Sequence, residues 1–247
     1  MSLQYQDDDS IPETVDTTGR SWASELPVVS LIIVALYTLV FVAQLLTGLD
    51  RSILIAGEDK TLIREGRELW RLLTGSALHA HILHYAFNTY AFYSFGRYFE
   101  MLSARWNVAI VFLLSAIGGS LLSEIATPYG ISIGASGGIV GLVGYLAVYS
   151  FKRRQFITSQ FRRNLLFNIG FILFYGFIIA AVDNFAHIGG LIVGAAYALA
   201  TVPTNAYRDP RASSPIVRYL GMASIGVYAL TCGFAIFLFL TRSSYTN

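Results

Sequence analysis

Charge is what this sequence lacks most. Asp, Glu, Lys and Arg make up 13% of its 247 residues, about half the ~25% of a soluble domain. Mean hydropathy is +0.57, so an ordinary soluble fold is excluded and a membrane protein expected. The net charge is only +2 and no basic tract occurs, so no nucleic-acid partner is expected. The one cysteine, Cys232, rules out an internal disulfide. No secretory signal is visible at the start. Residues 1–26 are polar and acidic, with Asp7, Asp8, Asp9, Glu13, Asp16 and Glu25 against Arg20, and read as a disordered cytosolic tail. Internal repeats and low-complexity tracts are absent too.

What is present is a series of apolar runs. A helix needs about 20 apolar residues to cross a ~30 Å hydrocarbon core. Seven such spans are expected, near 27–49, 77–98, 107–123, 136–151, 164–182, 185–202 and 216–240. With the N-terminus inside, inner segments hold eleven Lys and Arg residues and outer ones six, which favours that orientation. The chain is thus expected to be an all-α, multi-pass membrane protein. Residues 27–202 form its six-helix core, and 203–247 supply a linker, a seventh span and a short tail.

The connection "EIATPYGISIGA" (124–135) leads into a short span starting at Ser136. Fifteen residue steps, Ser136 to Phe151, cover roughly 22 Å. The serine is therefore expected below the outer surface, where irregular backbone survives only if buried in protein or lining a wet cavity. The histidines are His79, His81, His84 and His187. His84, Ser136 and His187 lie in the outer halves of spans 2, 4 and 6, where polar groups are functional candidates. Gly137 and Gly141 on span 4, and Gly190 and Gly194 on span 6, are each four apart. That spacing lets backbones meet, which would bring Ser136 and His187 within the ~2.6–3.2 Å a nucleophile and base require. Val193 is expected to face lipid. His84 and Asn88 share one helix face and both can donate toward an oxyanion.

The segments "HAHILHYAFN", "GASGG" and "AHIGG", in that order on spans 2, 4 and 6, resemble the motifs of the rhomboid intramembrane serine proteases. The resemblance covers about residues 27–202, and the extra span resembles the six-plus-one members. It implies a Ser136–His187 dyad, with His84, Asn88 and backbone N–H groups at Ser136 forming the oxyanion hole, and no cofactor or metal. It implies single-span membrane proteins as substrates, cut near the outer end of their helix at a small residue, in the lipid bilayer of what is expected to be the plasma membrane. Trp70–Arg71 resembles an outer-loop dipeptide of the family, and His79 a further motif histidine of open role. Val140 departs from the pattern: many members carry an aromatic there, beneath the histidine ring. Tyr145 and Phe185 are the candidates to replace it.

Plainer readings stand beside these. "GASGG" alone fits helix packing, and its G-x-S-x-G match lacks the strand that a hydrolase elbow needs. His84 alone fits a core histidine, Asn88 alone interhelical glue. His81 is assigned to a loop end. Asp183, four before His187, is read as an exposed helix-start residue, with orientation of the imidazole as the alternative. The aromatic fifth span (Phe171, Phe174, Tyr175, Phe177) reads equally as a side gate beside span 2 or as a lipid face. Two rivals come from other classes. A histidine-cluster metal protein lacks H-E-x-x-H and a shared helical face for its histidines. A transporter would need intramembrane carboxylates or repeated halves.

Overall fold

The structure, a computed structural model, describes residues 26–179 and 182–242. The expected tail lies outside the described residues, Leu26 apart. Ten α-helices appear among the described residues: α1 (Val28–Thr47), α2 (Leu49–Ala56), α3 (Lys60–Arg64), α4 (Arg71–Thr74), α5 (Ile82–Leu102), α6 (Trp106–Ala126), α7 (Ser136–Lys152), α8 (Ser159–Ile178), α9 (Asn184–Thr201) and α10 (Pro215–Arg242). The seven long ones fall on the seven expected spans. Four of them, α1, α6, α9 and α10, are long and apolar enough to cross a membrane by length and composition. The chain is an all-α polytopic membrane protein.

Two boundaries differ from expectation for identifiable reasons. The second span does not begin at 77. Residues 71–77 form α4 and a single 3-10 turn, Gly75–Ala77, and α5 starts after His81. The extended His81 (φ −161°) accepts the His84 N–H on its Nδ1 at 3.1 Å, a side-chain N-cap. His81 is thus a capping residue. Helix α8, on the fifth expected span, starts five residues early because Thr158 caps it, its hydroxyl accepting the Phe161 N–H at 3.2 Å.

Helix α7 is central, with thirteen of its seventeen residues buried. Its glycines explain how. A methyl group at Gly138 would collide with the Phe112 ring on α6, and one at Gly141 with Ser115. At Gly144 it would come within 2.5 Å of the Leu191 carbonyl on α9. The partner surface is equally bare: a methyl at Gly190 would strike the Gly137 carbonyl, and one at Gly194 the Gly141 carbonyl. Helices α7 and α9 therefore meet backbone to backbone, as the paired glycine spacings require. Val193 does not face lipid. It packs on Gly118 of α6, and Ile192 is the exposed neighbour, at 57%.

The long connection between α1 and α5 folds back onto the bundle. Its strand β1 (Glu58–Asp59) pairs antiparallel with β2 (Ile131–Ser132), Glu58 opposite Ser132. This short ladder ties that connection to the loop leading into Ser136. Arg71 is buried and fixes the connection from within. It donates to Glu68 Oε2 at 2.6 Å and to the Gly57 carbonyl at 2.7 Å, and its guanidinium lies 4.6 Å from the Trp70 ring centre.

The seam between α7 and α9 is testable. Leucine at Gly194 must displace the Gly141 carbonyl, and overpacking typically costs ~1–3 kcal/mol. Gly194→Leu is expected to insert but to melt several degrees below wild type in detergent, whereas Ile192→Leu is expected to melt with wild type. Equal melting of all three would show that the backbones do not touch there.

Candidate functional site

Ser136 is the first residue of α7. The preceding Ala135 offers no side-chain cap, so the N–H groups of the first turn, Gly137 and Gly138 among them, stay available to an incoming oxygen. The turn before it depends on Gly134, whose φ of +124° suits glycine. The Gly134 N–H donates to the Gly75 carbonyl at 2.9 Å.

His187 sits one turn into α9 and is buried. Its Nε2 lies 2.8 Å from Ser136 Oγ, the reach a nucleophile and general base need. For Nε2 to accept the serine proton, the ring proton must sit on Nδ1. That nitrogen is buried without a hydrogen-bond partner among the described residues. No aromatic ring pairs with His187 among the described residues either. Val140 is buried on α7, Tyr145 instead stacks on Phe99 at 4.2 Å and shares a 2.7 Å hydrogen bond with Ser103, and Phe185 is 41% exposed. Neither candidate replaces the missing aromatic.

His84 approaches from α5. Its Nδ1 accepts the Ala80 N–H at 3.3 Å, which places the ring proton on Nε2. A methyl group built on Gly134 would lie 2.8 Å from that Nε2 and 3.8 Å from Ser136 Oγ. The N–H of His84 therefore borders the space beside the serine hydroxyl. Asn88 lies one turn further along the same face and is buried. Its Nδ2 donates to the His84 carbonyl at 2.9 Å, and its Oδ1 has no partner among the described residues. The structure thus brings Ser136 and His187 into contact and His84 to their edge, while Asn88 braces His84. His79 packs behind, fully buried, its ring 5.2 Å from that of His84 and 5.3 Å from that of Tyr37. Gln44 of α1 holds the His79 backbone, accepting its N–H at 2.9 Å and donating to its carbonyl at 3.3 Å.

Asp183 does not orient the imidazole. It is the N-cap of α9, accepting the Ala186 N–H at 3.0 Å. Its other oxygen accepts from Ser123 and Ser132 and lies 3.7 Å from Lys60 Nζ. Burial would raise its carboxyl pKa, but these hydrogen bonds and the lysine hold it below the usual carboxylate value. It is a helix-start residue as expected, though half-buried rather than exposed. Lys60 is itself buried and also donates to Ser123 at 2.7 Å and to Thr127. Sequence reasoning missed this cluster, because "GEDK" reads as a solvated loop.

The family model for the rhomboid domain matches residues 66–204, which contain Ser136, His187, His84, Asn88, His79 and Asp183. The chain belongs to the rhomboid family. It is 36% identical over 148 residues to rhomboid protease GluP of Bacillus subtilis, covering 60% of this chain and 29% of that protein. It is 35% identical over 160 residues to RHOMBOID-like protein 6, mitochondrial, of Arabidopsis thaliana, covering 63% of this chain and 52% of that protein. It is also 33% identical over 138 residues to inactive rhomboid protein 1 of Papio anubis, 55% of this chain and 16% of that one. This rhomboid thus spans about half or less of the length of these relatives, and the relatives include proteins named as proteases and as inactive.

Glu58, beside the Lys60–Asp183 cluster, makes a pH prediction. Glu58 is buried, accepts from Ser120 at 2.7 Å, and is pushed up to about 8 by burial. An unfolded glutamate titrates near ~4.3. Between those values the folded protein holds the extra proton, so this stabilising contribution is present below ~4.3 and lost as pH rises through about 8. Melting temperature in detergent is expected to fall from pH 5 to 9, and Glu58→Gln to flatten that slope. Parallel slopes would mean that Glu58 is ionised in the fold.

Proposed function

We propose that this rhomboid is an intramembrane serine endopeptidase acting through a Ser136–His187 dyad. The observation that carries the reading is the 2.8 Å contact between Ser136 Oγ and His187 Nε2 at the start of a glycine-lined helix. In the proposed reaction Ser136 Oγ attacks the scissile carbonyl while His187 takes its proton. The developing oxyanion is met by His84 Nε2–H, the backbone N–H of Ser136 and, on reorientation of its amide, Asn88. His187 then protonates the leaving amine, and water deacylates the serine through the same base. No metal or cofactor enters these steps.

The surrounding architecture fits the reading. The seven long helices are proposed to be seven spans, with residues 27–202 as the catalytic core and the N-terminus cytoplasmic, in the plasma membrane. Substrates are proposed to be single-span membrane proteins, cut near the outer end of their helix. On α8, Phe171, Phe174, Tyr175 and Phe177 are all at least half exposed, and so are Phe87 and Tyr90 on α5, so both walls of the proposed side entrance present aromatic surface. A catalytically silent scaffold is the second reading, prompted by the relative named inactive. The serine–imidazole contact favours the active form.

A fluorophosphonate probe tests this directly. Ser136 is expected to be labelled in detergent, and labelling to collapse in His187→Ala. Cleavage of a model transmembrane substrate is expected to survive EDTA. Loss of one oxyanion donor costs roughly 10²–10³ in kcat elsewhere, and Asn88→Ala is expected to lose less, because it is one donor among several. Stoichiometric labelling at another serine would refute the dyad.

A further inference from the structure

We propose that Tyr228, on the seventh long helix, is a positioning residue for the nucleophile, so that α10 is a working part of the catalytic unit. The inference rests on Ser136 being that nucleophile. Tyr228 is 1% exposed and reaches the two sides of Ser136 by separate routes.

The first route is polar. The Tyr228 hydroxyl donates to the Ser76 carbonyl at 3.3 Å. Ser76 lies in the 3-10 turn whose preceding carbonyl, Gly75, accepts the Gly134 N–H. Successive carbonyls of one turn thus hold α10 on one side and the serine loop on the other. The turn has little slack. A methyl at Gly75 would come within 2.9 Å of Glu58 Cβ and 3.1 Å of the Ser132 carbonyl. The second route is apolar. The Tyr228 ring meets Phe112 edge-on at 5.0 Å, and Phe112 lies directly against Gly138. Gly134 and Gly138 stand two residues before and two after Ser136.

The helix carrying Tyr228 is itself pinned at both ends. Gly221 seats against Trp106 with no room for a side chain. Near the other end Phe234 meets Trp70 edge-on at 5.3 Å, and Arg242 lies 3.6 Å from Glu68. A buried phenol costs free energy unless its hydroxyl is bonded. A phenylalanine would fill the same space without that cost, so the hydroxyl has a use other than packing. Its use here is to fix the backbone that sets the Gly134 turn, and through it the direction of the Ser136 hydroxyl and N–H.

The test compares wild type with Tyr228→Phe, which keeps the ring on Phe112 and deletes the hydroxyl, and Phe112→Leu, which breaks the second route. Leu230→Ala, on the exposed face of α10, is the control. Three quantities are read on the full chain in detergent: the rate of Ser136 acylation by a fluorophosphonate, the fraction finally acylated, and kcat and KM on a transmembrane substrate. A shift of about 1 Å costs up to ~10²-fold. Tyr228→Phe is therefore expected to slow acylation and kcat together by roughly 10-fold, with KM and the final acylated fraction unchanged. Phe112→Leu is expected to do the same, and Leu230→Ala to match wild type. Wild-type rates in both variants would overturn the proposal. So would a reduced final fraction at unchanged rate, since that is a folding defect alone. Absence of acylation in wild type would instead refute the dyad, and this inference with it.

Discussion

Everything at the site depends on two helix backbones touching. Ser136 and His187 are short side chains on different helices, and neither can reach across the usual 8–10 Å separation of helix axes. Four glycines remove that separation: Gly137 and Gly141 on α7, Gly190 and Gly194 on α9. Within lipid no hydrophobic force pulls helices together, so contact relies on close packing of small residues. The same glycines therefore supply cohesion and the 2.8 Å approach of Ser136 to His187. The packing reading of "GASGG" and the proposed nucleophile reading are therefore not rivals, since the same close approach serves both.

A second layer sets the angle at which those helices begin. Residues 58–60, 123–132 and 183 come from three separate stretches of chain, yet meet in one buried polar cluster. Charged groups at such depth are costly unless paired and bonded. Lys60 and Asp183 are both: the lysine has two hydroxyl partners besides the carboxylate, and the carboxylate has two hydroxyls and a backbone N–H. The cluster caps α9 one turn before His187. The neighbouring Glu58–Ser120 bond and the two-residue ladder to Ser132 fix the loop before Ser136. Ser136 and His187 are thus referred to one common frame.

Much of this was legible in the sequence, and the unread part has a common cause. Apolar runs gave the seven long helices to within a few residues, because burial of such runs leaves a chain little choice. Glycine spacing gave the α7–α9 seam. What stayed hidden were contacts made by residues whose local context misleads. Lys60 sits in a polar tripeptide that looks solvated, and His81 looks like a loop histidine until its Nδ1 is seen capping α5. Val193 illustrates the limit of helical projection. Its facing depended on Gly118, a residue on another helix whose bareness opens a slot for it. Gln44 was a visible signal left unused: an amide inside an apolar helix needs a partner, and it found the backbone of His79.

The missing carboxylate behind His187 follows from the same architecture. In the triad template an aspartate on Nδ1 selects the tautomer and holds the ring. Here Asp183, the carboxylate one turn before His187, is occupied by the N-terminus of α9 and by the lysine cluster, and no aromatic ring pairs with the imidazole among the described residues. Apart from the Nε2 contact with Ser136, ring orientation must then come from packing: His187 is 6% exposed, on a helix whose glycine face is pressed against α7. Freedom of the imidazole is limited by how tightly α9 is held, not by a bond to Nδ1. A loosened seam would therefore free the ring, with no bond on Nδ1 to hold it. Cap, seam and ladder are consequently as much a part of the proposed acid–base machinery as the ring itself.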